Sequence, residues 1–485
     1  MKHYDCIAIG TGSAMGVVNT LLESDQNSRI AVVDKDEPGG ICLTRACIPS
    51  KLLVYPAEVL RYVEEAPNHG INVDIKSVDF QAIMQHMRDN VDRDVRSIEK
   101  SLQDAEAVDY YRAVAEFTGP YTMRVGDEEI EGDMILLCSG SRPAIPDIKG
   151  LRETGYLTSD TLLNLEELPK ELIILGGGYV AAEYGHFFSA MGSEVMILGR
   201  NPQFLPGEEA EISLVAEQNM AEKMDILTNH EVIEVESVDS NRVRVKVRDR
   251  ATGNQEEVEA DALLVAAGRA PNTDLLKPER AGLKTDKHGW LLVNDRLETS
   301  LKNVWAFGDA TGKHLFKHVA NHEARVVHSN AVLKEPMSVD YHAVPHAVFA
   351  YPEIAAVGMG EAEAVKTYGP DRVVIGFQPF AETARGEAMG LEDPFVKIIL
   401  ESTDRILGAH IIGPQASILI QELVTLMYTE SRSPLPLLEG MHIHPSLSEV
   451  VEAVFSNLMT YRDYRHMLSH MAPEHFGEES EGERE

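Results

Sequence analysis

The sequence predicts an α/β protein with two Rossmann-like dinucleotide-binding units and a third, α+β block. An apolar strand running into a glycine turn and an apolar helical pattern occurs at residues 4–22, and the same order recurs at residues 172–190. After about Asn330 the composition changes, and strand patterns at 395–400 and 406–413 precede two helical segments. A chain of 485 residues is long enough for about three domains.

The first unit begins with a buried parallel strand followed by GTGSAMG. Gly10 is expected to make the tight turn, and Gly12 to let the backbone approach a pyrophosphate at a helix N-terminus. A second strand ends at Asp34, about where an acid binds a ribose hydroxyl. The third fingerprint position holds Met15 instead of glycine, so this fingerprint alone is weak evidence.

The stretch GGICLTRACIPSK follows and places two cysteines five positions apart. Cys42 and Cys47 can form a small disulfide ring if the first helical turn is distorted, and Pro49 is expected to end or bend that turn. A redox pair, a structural disulfide and half of a zinc site are the possible interpretations. The last two need partners that the chain does not supply, because Cys6 and Cys138, the other two of its four cysteines, lie in apolar runs.

The second unit carries a fuller fingerprint, with Gly176, Gly178 and Ala181 at its three positions. Two such units imply two bound dinucleotides, of which a flavin and a nicotinamide are the simplest pair. The next strand ends at Gly199 and Arg200, where an NAD-binding protein would present an acid. An acid there repels a 2′-phosphate, whereas arginine offers it a fork of donors, so the pattern favours NADPH. Arg200 as a plain surface charge is the alternative.

The charge balance excludes several classes of partner. With 78 acidic and 44 basic residues, the formal net charge of -34 repels nucleic acid and anionic membranes. No apolar run reaches the roughly 18 residues of a membrane span, and a strand starts at once, so we expect no targeting peptide and a cytoplasmic protein. The acids are spread along the chain and arginine outnumbers lysine. A solvated charged surface is the simplest interpretation, and adaptation to high intracellular salt is the hypothesis.

The redox stretch and its flanking motifs resemble the flavin-dependent pyridine nucleotide-disulfide oxidoreductases, a family with dihydrolipoamide dehydrogenase and the glutathione, mycothione and mercuric reductases. The resemblance runs from Tyr4 to about Tyr461. Besides the redox loop and the two fingerprints, it rests on AEF at 115–117, LLCSGSR at 136–142, LLVAAGRAPNTDLL at 263–276, NVWAFGDAT at 303–311 and MHIHPSLSE at 441–449.

The resemblance implies a domain order and a set of cofactor contacts. The implied domains are FAD-binding at 1–148 and 265–335, NAD(P)-binding at 149–264, dimerisation at 336–465 and an acidic tail at 466–485. The implied cofactor-binding residues are Gly10, Gly12, Asp34, Gly40, Lys51, Ala115, Gly140, Gly176, Gly178, Ala181, Arg200, Gly268, Arg269, Gly308 and Asp309. Asp309 is expected to accept hydrogen bonds from the ribityl chain of FAD, although a Gly-Asp pair is usually only a turn.

The resemblance also implies the catalytic residues, which are Cys42, Cys47, His444, Glu449, Lys51 and Glu183. Cys47 is expected to be the flavin-facing thiolate and Cys42 the interchange thiol that attacks substrate. His444 is the expected base and Glu449 its orienting carboxylate. Glu183 is expected to reach Lys51 near the flavin, with a plain surface glutamate as the alternative.

No metal is expected. His442 lies two positions before His444, so a histidine pair binding a metal is the competing interpretation, but the ligand spacing around it is wrong for zinc.

The implied activity passes electrons from a nicotinamide to FAD, then to Cys42 and Cys47, and then to a substrate disulfide. A homodimer is implied, because His444 of one subunit would complete the site of the other. No cysteine follows Cys138, which disfavours mercuric ion and a C-terminal redox relay. Arg45, between the cysteines, can attract a carboxylate-bearing disulfide or lower a thiol pKa.

We therefore expect an NADPH-dependent reductase of a small disulfide of the γ-glutamylcysteine or mycothiol type. Dihydrolipoamide dehydrogenase using NAD is the nearest alternative. A flavin transhydrogenase would not need the cysteines, and a non-catalytic flavin- or nucleotide-binding regulator gives no reason to keep thiols, base and orienting acid together.

We expect thermal stability and activity to rise as potassium chloride increases from low to molar concentration. Salt screens the repulsion among the excess carboxylates, since the Debye length falls to about 3 Å at 1 M. The measurement compares unfolding temperature and turnover across that range, with a neutral osmolyte at matched concentration as the control. An unchanged or falling response would contradict the salt-adaptation hypothesis.

Overall fold

The chain folds as the α/β protein that the sequence predicts, in a computed structural model that describes residues 1–25, 27–239 and 242–476. A mostly parallel sheet and a parallel sheet each carry a glycine turn, and an antiparallel sheet follows them. Within the described ranges, no helix is both long enough and apolar enough to cross a lipid bilayer. Most of the predicted acidic tail, residues 477–485, lies outside the described residues.

The first domain is built on strands that follow buried apolar runs. Residues 30–33 are fully buried, as expected for a parallel strand covered on both faces. Its strands are β1 (Lys2–Ile9), β2 (Ile30–Asp34), β3 (Val108–Arg112), β4 (Ala115–Phe117), β5 (Thr122–Val125), β6 (Glu128–Leu137) and β7 (Ser141–Pro143), and its helices are α1 (Ala14–Ser24), α2 (Gly40–Thr44), α3 (Cys47–Glu65) and α4 (Phe80–Asp104). Strands β3, β2, β1 and β6 are adjacent and parallel in that order, and β5 and β4 extend the sheet antiparallel.

The cysteine-bearing stretch forms two helices instead of one distorted turn. Arg45 and Ala46 separate α2, which holds Cys42, from α3, which begins at Cys47. The expectation that Pro49 ends or bends the turn is wrong, because Pro49 lies buried in the first turn of α3. Proline is tolerated there, since the first helical N–H groups have no partner within the helix.

The second domain repeats the strand-turn-helix order. Its strands are β8 (Leu157–Thr158), β9 (Glu171–Leu175), β10 (Glu194–Leu198), β11 (Asp225–Leu227), β12 (His230–Ser237), β13 (Val243–Asp249), β14 (Gln255–Ala260) and β15 (Ala262–Val265), and its helices are α5 (Leu151–Thr154), α6 (Tyr179–Met191) and α7 (Ala210–Ala221). Strands β11, β10, β9, β15 and β8 form a parallel sheet in that order. The alternating pattern after residue 230 becomes the antiparallel sheet β12-β13-β14.

The chain then returns to the first domain. The return segment contains β16 (Arg269–Pro271), β17 (Val304–Ala306), α8 (Thr273–Leu276) and α9 (Lys317–His328). Strand β17 pairs parallel with β6 and so completes the first sheet, while β16 pairs with β7. This return places the Gly308–Thr311 turn beside the glycine turn that follows β1.

The third domain is a six-stranded antiparallel sheet with helices. Its strands are β18 (Pro345–Val348), β19 (Ile354–Gly358), β20 (Val373–Pro379), β21 (Phe395–Glu401), β22 (Ile406–Ile412) and β23 (Leu458–Thr460), and its helices are α10 (Glu361–Tyr368), α11 (Ala384–Met389), α12 (Ala416–Met427), α13 (Leu435–Leu438), α14 (Glu449–Ala453), α15 (Tyr461–Met471) and α16 (Pro473–Phe476). Short 3₁₀ or π turns lie at Ala66–His69, Leu162–Asn164, Pro278–Ala281, Gly308–Thr311, Ser329–Leu333, Pro370–Arg372, Phe380–Glu382 and Val454–Ser456. The strand order is β18-β19-β22-β21-β20-β23.

A buried ion cluster fastens the second domain to the third. The ammonium group of Lys397, a fully buried side chain of β21, lies 2.6 Å from the carboxylates of Glu209 and Glu361 and also contacts Glu211. The Tyr464 hydroxyl donates to Glu211. Burial lowers the pKa of Lys397, but the three carboxylates outweigh it and hold that pKa above its usual value. The cation is therefore needed to keep the carboxylates buried.

Replacing this cation should destabilise the protein. Lys397→Met leaves three buried carboxylates without a counter-ion, so we expect the free energy of unfolding to fall by about 3–5 kcal/mol. Urea unfolding followed by circular dichroism provides the measurement. Lys366→Met, on the exposed face of α10, is the matched control and should change little. Equal stability of the two variants would show that the cluster does not hold the domains together.

Candidate active site

A cavity of about 570 Å³ lies between the first domain, the return segment and α6. Thirteen of the sequence-predicted residues line it, and they come from widely separated parts of the chain. They are Gly10, Gly12, Asp34, Gly40, Cys42, Cys47, Lys51, Ala115, Gly140, Glu183, Arg269, Gly308 and Asp309. The fold thus collects glycine turns, carboxylates and both cysteines around one space.

The first glycine turn is fixed by contacts that admit no side chain. Gly10 has a φ of +97°, and a Cβ atom there would lie 2.2 Å from the carbonyl oxygen of Cys138. Asp34 accepts hydrogen bonds from the backbone N–H of Thr11 at 2.9 Å and from its hydroxyl at 2.5 Å. The carboxylate expected to bind ribose is therefore tied to the turn expected to bind pyrophosphate.

The two thiols lie within hydrogen-bonding distance and have unequal acidity. The hydrogen bond from Cys42 lowers the pKa of Cys47 to about 7; burial opposes this shift, and the cation of Lys51 adds to it. The same hydrogen bond, with burial, raises the pKa of Cys42 well above its usual value. Within the pair, Cys47 is therefore the thiol that ionises first.

Lys51 is held by a carboxylate from the second domain. Its ammonium group lies 2.7 and 2.9 Å from the two carboxylate oxygens of Glu183, which is buried on α6. Glu183 also accepts the backbone N–H of Phe349 at 3.1 Å, and the Lys51 ammonium lies 4.6 Å from the centre of the Phe349 ring. Since a buried carboxylate requires such partners, Glu183 is a fixed part of the site and not a surface residue.

A further carboxylate faces the cavity from the return segment. Asp309 accepts the Ser141 hydroxyl at 2.5 Å, and Arg269 donates to that same hydroxyl at 2.6 Å. Burial raises the pKa of Asp309 above its usual value, while Ser141 and Arg269 oppose the shift. Hydroxyl groups of a bound sugar chain would satisfy this carboxylate's remaining acceptor positions.

The polar groups of the cavity fit FAD. Among the described residues, Ser139 Oγ and Tyr184 OH are buried without a hydrogen-bond partner, and both residues line the cavity. Asp34 and Asp309 would accept from sugar hydroxyls, and Gly12 opens α1 to a pyrophosphate. When bound, FAD supplies a two-electron relay between a nicotinamide and a thiol pair.

A second cavity of about 800 Å³ adjoins the first, and Tyr179 and Arg269 line both. Its lining contains the predicted residues Gly176, Gly178, Arg200, Gly268 and Arg269. A Cβ atom at Gly176, whose φ is +133°, would lie 2.2 Å from the carbonyl oxygen of Ala266, so the turn requires glycine. Ala181, the third fingerprint position, is buried in α6 and lines neither cavity.

The predicted base and its partner form a separate pair. His444 Nδ1 lies 2.8 Å from Glu449, and Glu449 also accepts the backbone N–H of Ser446 at 2.9 Å. The amide of Ser446, followed by His444, lowers the pKa of Glu449. The His444 side chain is 72% exposed, and it is not among the described residues that line either cavity. Within this chain, the predicted base is therefore not brought to the thiols.

The metal interpretation of His442 gains no support. His442 lies 3.3 Å from Glu452 and 3.8 Å from Glu422, which makes it a partner of carboxylates on two helices. In the described part of the chain, the one cluster of possible metal ligands is Glu209, Glu211 and Glu361. The ammonium group of Lys397 already occupies the centre of that cluster.

Several lining residues were not identified from the sequence. Tyr179 stands between the two cavities, and its only sequence signal is its place directly after the GGG turn. Phe349 lies in the third domain, far in the sequence from both thiols, and no motif there indicates a contact with the cavity. Arg45 lines the first cavity, and its guanidinium lies 2.8 Å from Asp36 and 4.0 Å from Asp160. Attraction of a substrate carboxylate by Arg45 stays a prediction.

Two adjoining dinucleotide cavities with an unequal thiol pair at one of them define an NAD(P)H-dependent flavoprotein disulfide oxidoreductase. The chain belongs to the pyridine nucleotide-disulphide oxidoreductase family, which residues 4–329 match. Residues 344–454 match the dimerisation domain of the same family. FAD and a nicotinamide nucleotide are the cofactors of this family, as the sequence predicts.

Relatives with several activities are similar over almost the whole chain. Mycothione reductase of Mycobacterium tuberculosis is 36% identical over 93% of this chain and 98% of the relative. Dihydrolipoyl dehydrogenase of Chlamydia trachomatis is 32% identical over 93% of this chain and 95% of the relative. Among solved structures, the Cu(II) complex of the HOCl-induced flavoprotein disulfide reductase RclA from Escherichia coli superposes with a TM-score of 0.82 at 30% identity, covering 94% of this chain and 99% of that one.

The acidity of Cys47 provides a test of the site that needs no turnover. In a Cys42→Ser background, in which the serine hydroxyl can still donate to Cys47, we expect alkylation of Cys47 by iodoacetamide to rise with pH around a midpoint below the usual pKa of a thiol. Adding Lys51→Met removes the cation that lowers this pKa, so the midpoint should move to higher pH. Lys35→Met, which removes a half-exposed lysine paired with Asp36, is the control. An unmoved midpoint in the Lys51 variant would contradict the assignment.

Proposed function

We propose that this protein is an NADPH-dependent reductase of a low-molecular-weight disulfide of the γ-glutamylcysteine or mycothiol type. The observation that carries disulfide reduction is the unequal pair of Cys42 and Cys47. A structural disulfide or a packing role needs no such asymmetry, whereas thiol-disulfide exchange needs one stabilised thiolate beside one protonated thiol.

The thiols would act in a fixed order. A base removes the proton of Cys42, whose sulfur attacks one sulfur of the substrate disulfide; the substrate S–S bond breaks, and one thiol leaves with a proton. The Cys47 thiolate then attacks the Cys42 sulfur, which forms the Cys42–Cys47 disulfide and expels the second thiolate. Two protein thiols are thereby oxidised and one substrate disulfide is reduced to two thiols.

The raised pKa of Cys42 means that this first step requires a base. We assign that role to His444 of the partner subunit in a homodimer, oriented by Glu449. The assignment is supported by the dimerisation domain, by the exposure of His444, and by its place away from both cavities of its own chain. Pairing with Glu449 fixes the orientation of the His444 ring.

The choice of NADPH follows from the end of β10. Gly199 presents no acid at this position, and Arg200 lines the second cavity. Packing does not require glycine at this position, because a Cβ atom at Gly199 would lie 3.6 to 3.8 Å from its nearest neighbours, which is ordinary van der Waals contact. We therefore attribute the absence of an acid to nucleotide choice. Without an acid at this position, nothing there repels the 2′-phosphate of NADPH.

Two substrate classes are supported by relatives of this chain. Similarity to mycothione reductase, at 36% identity, supports reduction of a small thiol disulfide. Similarity to dihydrolipoyl dehydrogenase, at 32% identity, supports oxidation of dihydrolipoamide with NAD as the second candidate. Both reactions would use the same thiol pair in opposite directions, so rates must decide between them.

Steady-state rates of the FAD-loaded enzyme test the proposal. We expect NADPH oxidation with at least one disulfide from a panel of γ-glutamylcysteine, mycothiol and glutathione disulfides to exceed NAD reduction by dihydrolipoamide. Cys42→Ser is the control and should abolish both rates. A dihydrolipoamide rate higher by roughly tenfold, about 1.4 kcal/mol of transition-state preference, would overturn the substrate assignment.

Mixed dimers test whether the base comes from the partner subunit. Cys42→Ser and His444→Ala homodimers should each lose activity, the latter by about 10² to 10⁴-fold, the range for a general base. Exchange of subunits between the two should restore activity, because one of the two sites in each heterodimer then holds both wild-type groups. Persistent inactivity of purified heterodimers would refute sharing, and a double-mutant homodimer mixed with itself is the control.

A further inference from the structure

Three arginines converge on one carboxylate at the rim of the second cavity. Glu231 contacts the guanidinium of Arg248 and lies 3.4 Å from Arg200 Nε, and the charge of Arg250 also acts on it. Arg200, Glu231 and Arg248 all line the cavity together with the glycine turn after β9. The rim therefore carries more positive than negative charge, in a chain whose net charge is -34.

The fold fixes the positions of these groups. Glu231 and Arg248 are direct cross-strand partners in the β12-β13 pair. The backbone N–H of His230 donates to the carbonyl oxygen of Gly199 at 2.8 Å, and Arg250 donates to the carbonyl oxygen of Arg200 at 2.9 Å. The antiparallel sheet is thus bonded to the loop after β10, where a nucleotide ribose would lie.

The carboxylate marks where an anion is stabilised. The hydrogen bond from Arg248 lowers the pKa of Glu231; burial opposes this shift, and the charges of Arg248, Arg200 and Arg250 add to it. A 2′-phosphate carries more charge and more acceptor oxygens than one carboxylate. The planar donor fork of arginine matches phosphate geometry, so a phosphate arriving here would compete with Glu231 for the same donors.

We propose that Arg248 is a specificity-determining residue that binds the 2′-phosphate of NADPH together with Arg200, while Glu231 holds the two guanidinium groups in place until the phosphate replaces it. This inference rests on the proposed use of NADPH. Arg248 follows Arg200 by almost fifty positions and comes from a different sheet, so only the folded chain brings the two together.

The neighbouring Arg244 offers a matched control. It lies on the same strand and face as Arg248 and is likewise paired with glutamates, Glu236 and Glu259. It does not line the described cavity. If Arg248 were only a cross-strand ion pair, the two arginines would serve the same purpose, and neither would affect nucleotide binding.

Calorimetric binding of 2′,5′-ADP and of 5′-ADP to the FAD-loaded dimer tests the assignment without turnover. We expect Arg248→Gln to weaken 2′,5′-ADP binding by roughly tenfold, about 1.4 kcal/mol, and to leave 5′-ADP binding unchanged. Arg248→Lys should retain part of the affinity, since it keeps the charge but loses the fork. Arg244→Gln should match wild type with both ligands.

The outcomes separate this inference from the function on which it rests. Wild type that binds 2′,5′-ADP no more tightly than 5′-ADP would refute the use of NADPH itself. Wild type that prefers 2′,5′-ADP, with Arg200→Gln impaired and Arg248→Gln unimpaired, would overturn the role of Arg248 alone. Glu231→Gln should bind 2′,5′-ADP at least as tightly as wild type, and a tenfold loss would instead make the Glu231–Arg248 pair structural.

Discussion

The ion pair between Lys51 and Glu183 is the contact on which the rest of the site depends. Lys51 comes from the thiol-bearing helix of the first domain, Glu183 from the fingerprint helix of the second, and the Phe349 amide from the third domain binds the same carboxylate. A buried carboxylate without these partners would be strongly destabilising. The pair therefore fixes the relative positions of three domains and places a cation beside Cys47, which adds to the lowering of its pKa.

The same use of charge recurs in a protein with a large acidic excess. Cations are placed where anions must be stabilised: Lys51 and Lys317 near the thiols, Lys397 among three buried carboxylates, and arginines around Glu231. Lys51 and Lys317 favour the thiolate form of the nearby cysteines, and Lys397 stabilises the contact between the second and third domains. Because the effective dielectric is lower at the enclosed sites of Lys51 and Lys397 than in water, one cation there matters more than many exposed acids.

Much of the fold was readable from the chain because its signals are local. A glycine turn between an apolar strand and a helix, as at Gly10 and Gly176, needs no distant residue to be recognised. The thiol spacing and the family motifs likewise lie in short stretches. Local signals failed where contacts decide the outcome: Pro49 lies in the first turn of a helix instead of bending a turn, and the pairing of Arg45 with Asp36 has no local signal.

The sequence by itself determined the fold class, the family and the residue types of the site, because strand-turn-helix periodicity and motif order are properties of neighbouring residues. Only the tertiary structure decided which residues meet. It set the unequal acidity of Cys42 and Cys47, left His444 exposed and apart from the thiols of its own chain, and joined Arg248 to the rim that holds Arg200. Hydrogen bonds, burial and the fields of charges far away in the sequence produce these features. Such contacts form only in the folded chain, so local sequence patterns do not reveal them.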